Sequence, residues 1–119
     1  MLEIKILNEN NTLINEEIEK FVFYSGETRT MRLQIWSSDC NAPYRIENGA
    51  TITLTLQKSD DTTFDLTPTA QTDRSVITSE LTTTNTTDMI NGGQLLVKII
   101  EDTSTRYVVK KNALEKIST

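Results

Sequence analysis

Alternation between apolar and polar positions dominates this chain. From Ala50 to Gln57 the run Ala-Thr-Ile-Thr-Leu-Thr-Leu-Gln changes character at every residue, the period of a strand with one buried face. Ser59-Asp60-Asp61-Thr62 supplies turn residues, and Thr63-Phe64-Asp65-Leu66-Thr67 alternates again, so the two runs predict a hairpin. Upstream, Met31, Leu33 and Ile35 share one face of a strand, while Trp36 falls on the other parity before a loop from Ser37 to Pro43. Leu2, Ile4 and Ile6 form a short stripe of the same kind. Phe21-Val22-Phe23-Tyr24 is apolar at every position, which predicts a strand covered on both sides or lying at an interface. Ser75 to Leu81 reads as a weaker strand. Leu95 to Ile100 reads as the most buried one, turning through Glu101–Thr105 into Arg106–Lys110.

Helical signals are few. Thr87-Asp88-Met89-Ile90-Asn91 reads as one turn with a Thr or Asp cap, ended by Gly92-Gly93. Asn112 to Ile117 reads as a short C-terminal helix or a docking tail, and the run Thr82 to Thr87 as a long connection between strands. No repeat and no domain boundary stands out. The pattern predicts one all-β domain over residues 1–119, an antiparallel sandwich or small barrel of about seven or eight strands with one short helical turn.

Composition supports that reading. Twenty of the 119 residues are threonine, and they alternate with aliphatic residues, as the outward faces of strands do. A mucin-like stalk would need more proline than Pro43 and Pro68. The net charge of −5, with Lys110-Lys111 the only adjacent basic pair, argues against a nucleic-acid partner. The start Met1-Leu2-Glu3 is acidic and apolar runs are short, so neither a leader nor a membrane span is predicted.

Candidate chemistry is sparse. Histidine is absent, which removes the commonest general base and metal ligand. Cys40 stands alone, so no intrachain disulfide or Cys/His zinc set can form, and it reads as a half-buried filler. Gly26, Gly49, Gly92 and Gly93 fit no phosphate-binding loop. Asp60, Asp61 and Asp65, or Glu101-Asp102, raise a glycosidase pair or a calcium site, but exposed turn carboxylates are the simpler reading. Asn10-Asn11-Thr12 and Asn85-Thr86-Thr87 match the glycosylation acceptor by chance in an Asn- and Thr-rich chain. Trp36, Tyr44 and Tyr24 raise an aromatic sugar-binding shelf. The expectation is a non-enzymatic protein with no cofactor and no metal.

The termini look like arms. Residues 1–11 carry Leu2, Ile4 and Ile6 ahead of a polar break, and residues 111–119 carry Leu114 and Ile117. Such segments either add a strand to a neighbour or pack on their own sheet. With Phe21, Phe23 and Trp36 these residues are the candidate interaction set.

From Gly26 onward the features follow one another in a recognisable layout without a diagnostic motif. A strand at Thr30–Ile35 is followed by a loop and the run Asn48-Gly49-Ala50-Thr51-Ile52-Thr53-Leu54. An acidic hairpin turn, a weak middle strand and a helical turn near Asp88-Met89-Ile90 come next. Gly93 then leads into Gln94–Ile99, and a hairpin closes on Tyr107-Val108-Val109. This layout, over about three quarters of the chain, resembles the immunoglobulin-like N-terminal domain of phage baseplate upper proteins and related small virion accessory proteins. The resemblance implies an immunoglobulin-like sandwich without an active site. It also implies a location in the virion and partners among other virion structural proteins, as a homo-oligomer or lattice neighbour. Without a long receptor-binding region after the module, a capsid decoration or small head or tail accessory protein is expected. A baseplate or tail-fibre adaptor, or a carbohydrate or host-surface binding module, is the alternative.

Overall fold

The clearest alternating runs, residues 30–35 and 51–57, lie in strands. The computed structural model describes residues 1–7, 17–57, 63–66, 68–70 and 74–117, and its elements in chain order are as follows. The first half holds Leu2–Leu7 (β1), Glu17–Ile18 (β2), Phe21–Tyr24 (β3), Arg29–Ser37 (β4), Ala42–Pro43 (β5) and Thr51–Gln57 (β6). The second holds Thr63–Leu66 (β7), Thr69–Ala70 (β8), Val76–Leu81 (β9), helix α1 (Thr83–Asp88), Gln94–Glu101 (β10), Ser104–Lys110 (β11) and Leu114–Ile117 (β12).

These strands build two antiparallel sheets and one small parallel pair. One sheet runs β2-β1-β4-β9-β8, with β5 paired to the end of β4 beyond the reach of β9. The other runs β11-β10-β6-β7. β12 lies parallel to β3, with Leu114 opposite Phe21 and Ile117 opposite Tyr24. The inner faces meet in one core, to which the first sheet gives Ile4, Ile6, Met31, Leu33, Ile35 and Ile77. The second gives Ile52, Leu54, Leu56, Leu95, Val97 and Ile99, and the small pair adds Phe21, Phe23 and Leu114. The protein is an all-β sandwich, as the alternation predicts. The hairpin partner of β6 is β7, with Leu54 opposite Leu66, while the turn carrying Asp60 and Asp61 lies outside the described residues, as do Asn8 to Thr12.

Several expectations are corrected. Of the two outcomes open to the N-terminal stripe, it packs on its own sheet: β1 sits between β2 and β4, in register from Leu2–Ser37 to Leu7–Arg32, and Ile4 and Ile6 are buried in this chain's own core. The segment after Lys111 is neither helix nor tail but β12, since Leu114 has the core to enter and Ala113 N–H bonds the Gly93 carbonyl at 2.9 Å. Phe21–Tyr24 is not covered on both faces within this chain: Phe21 and Phe23 are buried, Val22 and Tyr24 exposed, which leaves an interface as the other expectation for the strand. Cys40 is exposed, not half-buried.

The helix also falls earlier than predicted, in the run read as a connection. Thr82 is its N-cap, accepting from Asn85 N–H at 3.2 Å while Asn85 Oδ1 accepts from Thr82 N–H at 2.9 Å. Threonine is a poor helix former, so this helix rests on its caps and its docking. Thr86 is fully buried and donates to the Glu27 carbonyl at 2.6 Å. Lys116 of β12 reaches the last carbonyls, donating to Thr87 at 2.7 Å and Met89 at 2.9 Å. Helix, small sheet and the start of β10 are thus fastened to one another.

Candidate interaction surface

Strand register decides which side chains face outward. In β10 the buried residues are Leu95, Val97, Ile99 and Glu101, so Gln94, Leu96, Lys98 and Ile100 point away from the core. β11 sets Val109 beside Leu96, Tyr107 beside Lys98 and Thr105 beside Ile100. On the other flank, β6 sets Thr55, Thr53 and Thr51 beside the same three residues, and Asp65 of β7 lies opposite Thr55. The outer face of this four-stranded sheet therefore has a threonine column on β6 and, on β10 and β11, the apolar residues Leu96, Ile100, Tyr107 and Val109 set around Lys98.

That apolar half is open to solvent. Ile100 is 39% exposed, Tyr107 62% and Val109 46%, and Leu96 is half-buried between them. Large apolar side chains on one sheet face, in adjacent strands, make a contiguous patch and not a scatter of single residues. Lys98 lies within it, its ammonium 5.8 Å from the Tyr107 ring centre. Asp65 at the sheet's edge accepts from the Thr55 hydroxyl at 2.7 Å. The face thus groups one aromatic ring, three aliphatic side chains and one cation.

The residues singled out from sequence are dispersed. Ile4, Ile6, Phe21, Phe23 and Leu114 are core. Leu2 packs against that core at the end of β1. Trp36 lies on the outer face of the other sheet with the Lys5 ammonium 3.9 Å above its ring. Ile117 pairs with Tyr24 on the outer face of the small sheet, half-buried. The three rings proposed as a sugar shelf sit in separate settings: Trp36 against Lys5, Tyr44 against Arg106, and Tyr24 on β3. β11 itself is read from sequence as the closing strand of a hairpin, but its outward face is not, because its alternation is inverted, with apolar Tyr107 and Val109 on the parity opposite to buried Val108. An inverted parity beside a buried strand is the signal that finds such a face.

The carboxylates take structural places. Glu101, at the end of β10, is almost fully buried and accepts from the Tyr44 hydroxyl and, at 3.0 Å, from Glu47 N–H. Arg106 Nε stands 3.5 Å away, its guanidinium over the Tyr44 ring. Burial alone would raise the Glu101 pKa, but bonds from Tyr44 and Glu47 and the Arg106 charge more than offset it, so the pKa is lowered. Burial, then the neighbouring Glu101, raises that of Tyr44. Among the described residues no group of three acids or thiols is placed to hold a metal ion, and no buried side-chain nitrogen or oxygen lacks a partner. An open cleft of about 770 Å³ lies between β4 and α1, lined by Arg29, Arg32, Glu80 and several threonines. Its Arg29 is already bonded to Glu27. No helix among the described residues is long and apolar enough to cross a membrane.

No family model and no curated protein matches the chain.

Proposed function

We propose that this is a non-catalytic protein-binding module whose working surface is the outer face of β10 and β11. The observation that carries it is the grouping of Ile100, Tyr107 and Val109, three of the six exposed large hydrophobic residues among those described, on one face of one sheet. Tyrosine with aliphatic neighbours is the composition of protein interface centres.

For the kind of partner, the reading follows the layout that resembles an immunoglobulin-like phage virion module. The protein is proposed to be a virion structural component, a capsid decoration or small head or tail accessory protein. It would contact other virion proteins, with many weak contacts on a symmetric lattice adding up to firm attachment. The durable all-β scaffold suits that role, since every strand that presents the patch is anchored in the common core. A sugar-binding role has no observation in its favour, because Trp36, Tyr44 and Tyr24 each face a different neighbour.

The test is incorporation. Phage particles made with the Tyr107→Ser, Val109→Asp double variant should lack the protein, while its melting temperature stays within a few degrees of the parent's. Both residues point outward, so the fold does not depend on them. Full incorporation of that variant would sink the proposed surface. Particles that never contain the parent protein would sink the virion assignment.

A further inference from the structure

Among the described residues β3 pairs along one edge with β12 and with no strand along the other. Backbone groups of alternate strand residues point to alternate edges. Phe21 N–H reaches Ala113 at 2.8 Å and Ser25 N–H reaches Ile117 at 3.4 Å, so the groups of Val22 and Tyr24 point outward. There the chain closes on itself. Gly26, at φ 84°, sits at the third position of a turn from Tyr24 to Glu27, where a positive φ is required. Glu27 N–H returns to the Tyr24 carbonyl at 3.3 Å. Its carboxylate accepts from Tyr24 N–H at 2.7 Å. Arg29 donates to the Val22 carbonyl at 3.1 Å and to Glu27 at 3.0 Å.

We infer that Glu27 and Arg29 are an edge guard: they occupy the hydrogen-bonding positions through which β3 would pair with β3 of a second copy. The exposed edge of a strand recruits another strand unless something blunts it. β3 has the other requirements for such pairing, because Val22 and Tyr24 are exposed and would line up across a two-fold axis into one apolar strip. The guard is held from behind, since Thr86 of the helix donates to the Glu27 carbonyl and the Arg29 guanidinium lies 5.2 Å from the Phe21 ring centre. Two charges that cancel each other thus stand where a neighbour's backbone would bind. This device is independent of the β10–β11 face.

The experiment uses the full chain and sedimentation across a concentration series. The Glu27→Ala, Arg29→Ala double variant should self-associate at a concentration about tenfold or more below any at which the parent does, as two or more regained backbone bonds imply. Tyr24 N–H should exchange slowly in the associated form and quickly in the dilute one. Adding Tyr24→Pro, which removes that donor, should abolish the association. If the double variant does not fold, Glu27→Ala alone opens the Tyr24 N–H and is read in the same way. A folded variant that associates no more than the parent overturns the inference, and so does association that survives Tyr24→Pro.

Discussion

Glu101 shows how one buried charge orders a region that alternation alone does not. Its carboxylate ties the end of β10 to Tyr44 and Glu47, a stretch outside the strands, and Arg74 adds bonds to the Ile46 and Glu47 carbonyls at 3.1 and 2.6 Å. Because the folded pKa lies below the ordinary glutamate value of 4.5, the stabilisation is present above that value and is lost as pH falls through the lower, folded one. Urea midpoints measured from pH 7 downward should therefore fall below about pH 4.5, and the fall should be shallower in Glu101→Gln. That variant should also cost about 1–3 kcal/mol at neutral pH, since Tyr44 and Arg106 lose a charged partner. A pH profile identical to the parent's would remove Glu101 from this role. Gly93 is the second decisive residue. A Cβ there would lie 3.0 Å from the Gln57 carbonyl oxygen and 3.0 Å from Leu114, at the crossing of β6, β10 and β12. Gly93→Ala should lower stability by about 1–3 kcal/mol by forcing that crossing apart, and an unchanged melting temperature would contradict it.

At the scale of elements, the strands with clean alternation were legible in the sequence. β4, β6 and β10 present the faces expected, with Met31, Leu33, Ile35, Leu54, Leu56, Leu95 and Val97 buried. Leu54→Ala should accordingly cost about 2–5 kcal/mol. What the pattern did not carry was partnership. The stripe of Leu2, Ile4 and Ile6 is the same whether it pairs with β4 or with another molecule, and only tertiary packing decides. The C-terminal strand was ambiguous for the same reason: Leu114-Glu115-Lys116-Ile117 is too short for a period, and its identity comes from hydrogen bonds to Gly92 and Gly93 and from Lys116 on the helix carbonyls. The helix was misplaced because Thr83-Thr84-Asn85-Thr86-Thr87 has no helix propensity, and its capping box carries Asn at the position where Gln or Glu is usual. Since β1 lies inside its sheet, a chain lacking residues 1–7 should not fold cooperatively. A sharp thermal transition near the parent's would show β1 to be dispensable.

At the scale of the whole molecule, the sandwich leaves its two outer faces different. On the sheet of β1, β4 and β9 the outward positions include Gln34, Leu7 and Val76, all buried, with Gln34 bonded to the Ser75 hydroxyl at 3.2 Å. On the sheet of β10 and β11 the outward positions include Ile100, Tyr107 and Val109, open to solvent, and half-buried Leu96, on the other side of β10 from the threonine column. Of these two outer faces, the second carries the exposed large hydrophobic side chains among the described residues, the feature behind the proposed interaction surface. The scaffold was readable from alternation; this face was not, because exposure depends on which sheet covers which. Hydroxyl-radical footprinting of the protein, free and in assembled particles, tests the account most directly. Labelling of Tyr107 and Val109 should fall several-fold on assembly, while Tyr24 on the guarded strand keeps its reactivity. Unchanged labelling of Tyr107 and Val109 in particles that hold the protein, with loss at Tyr24 or Trp36 instead, would contradict the account.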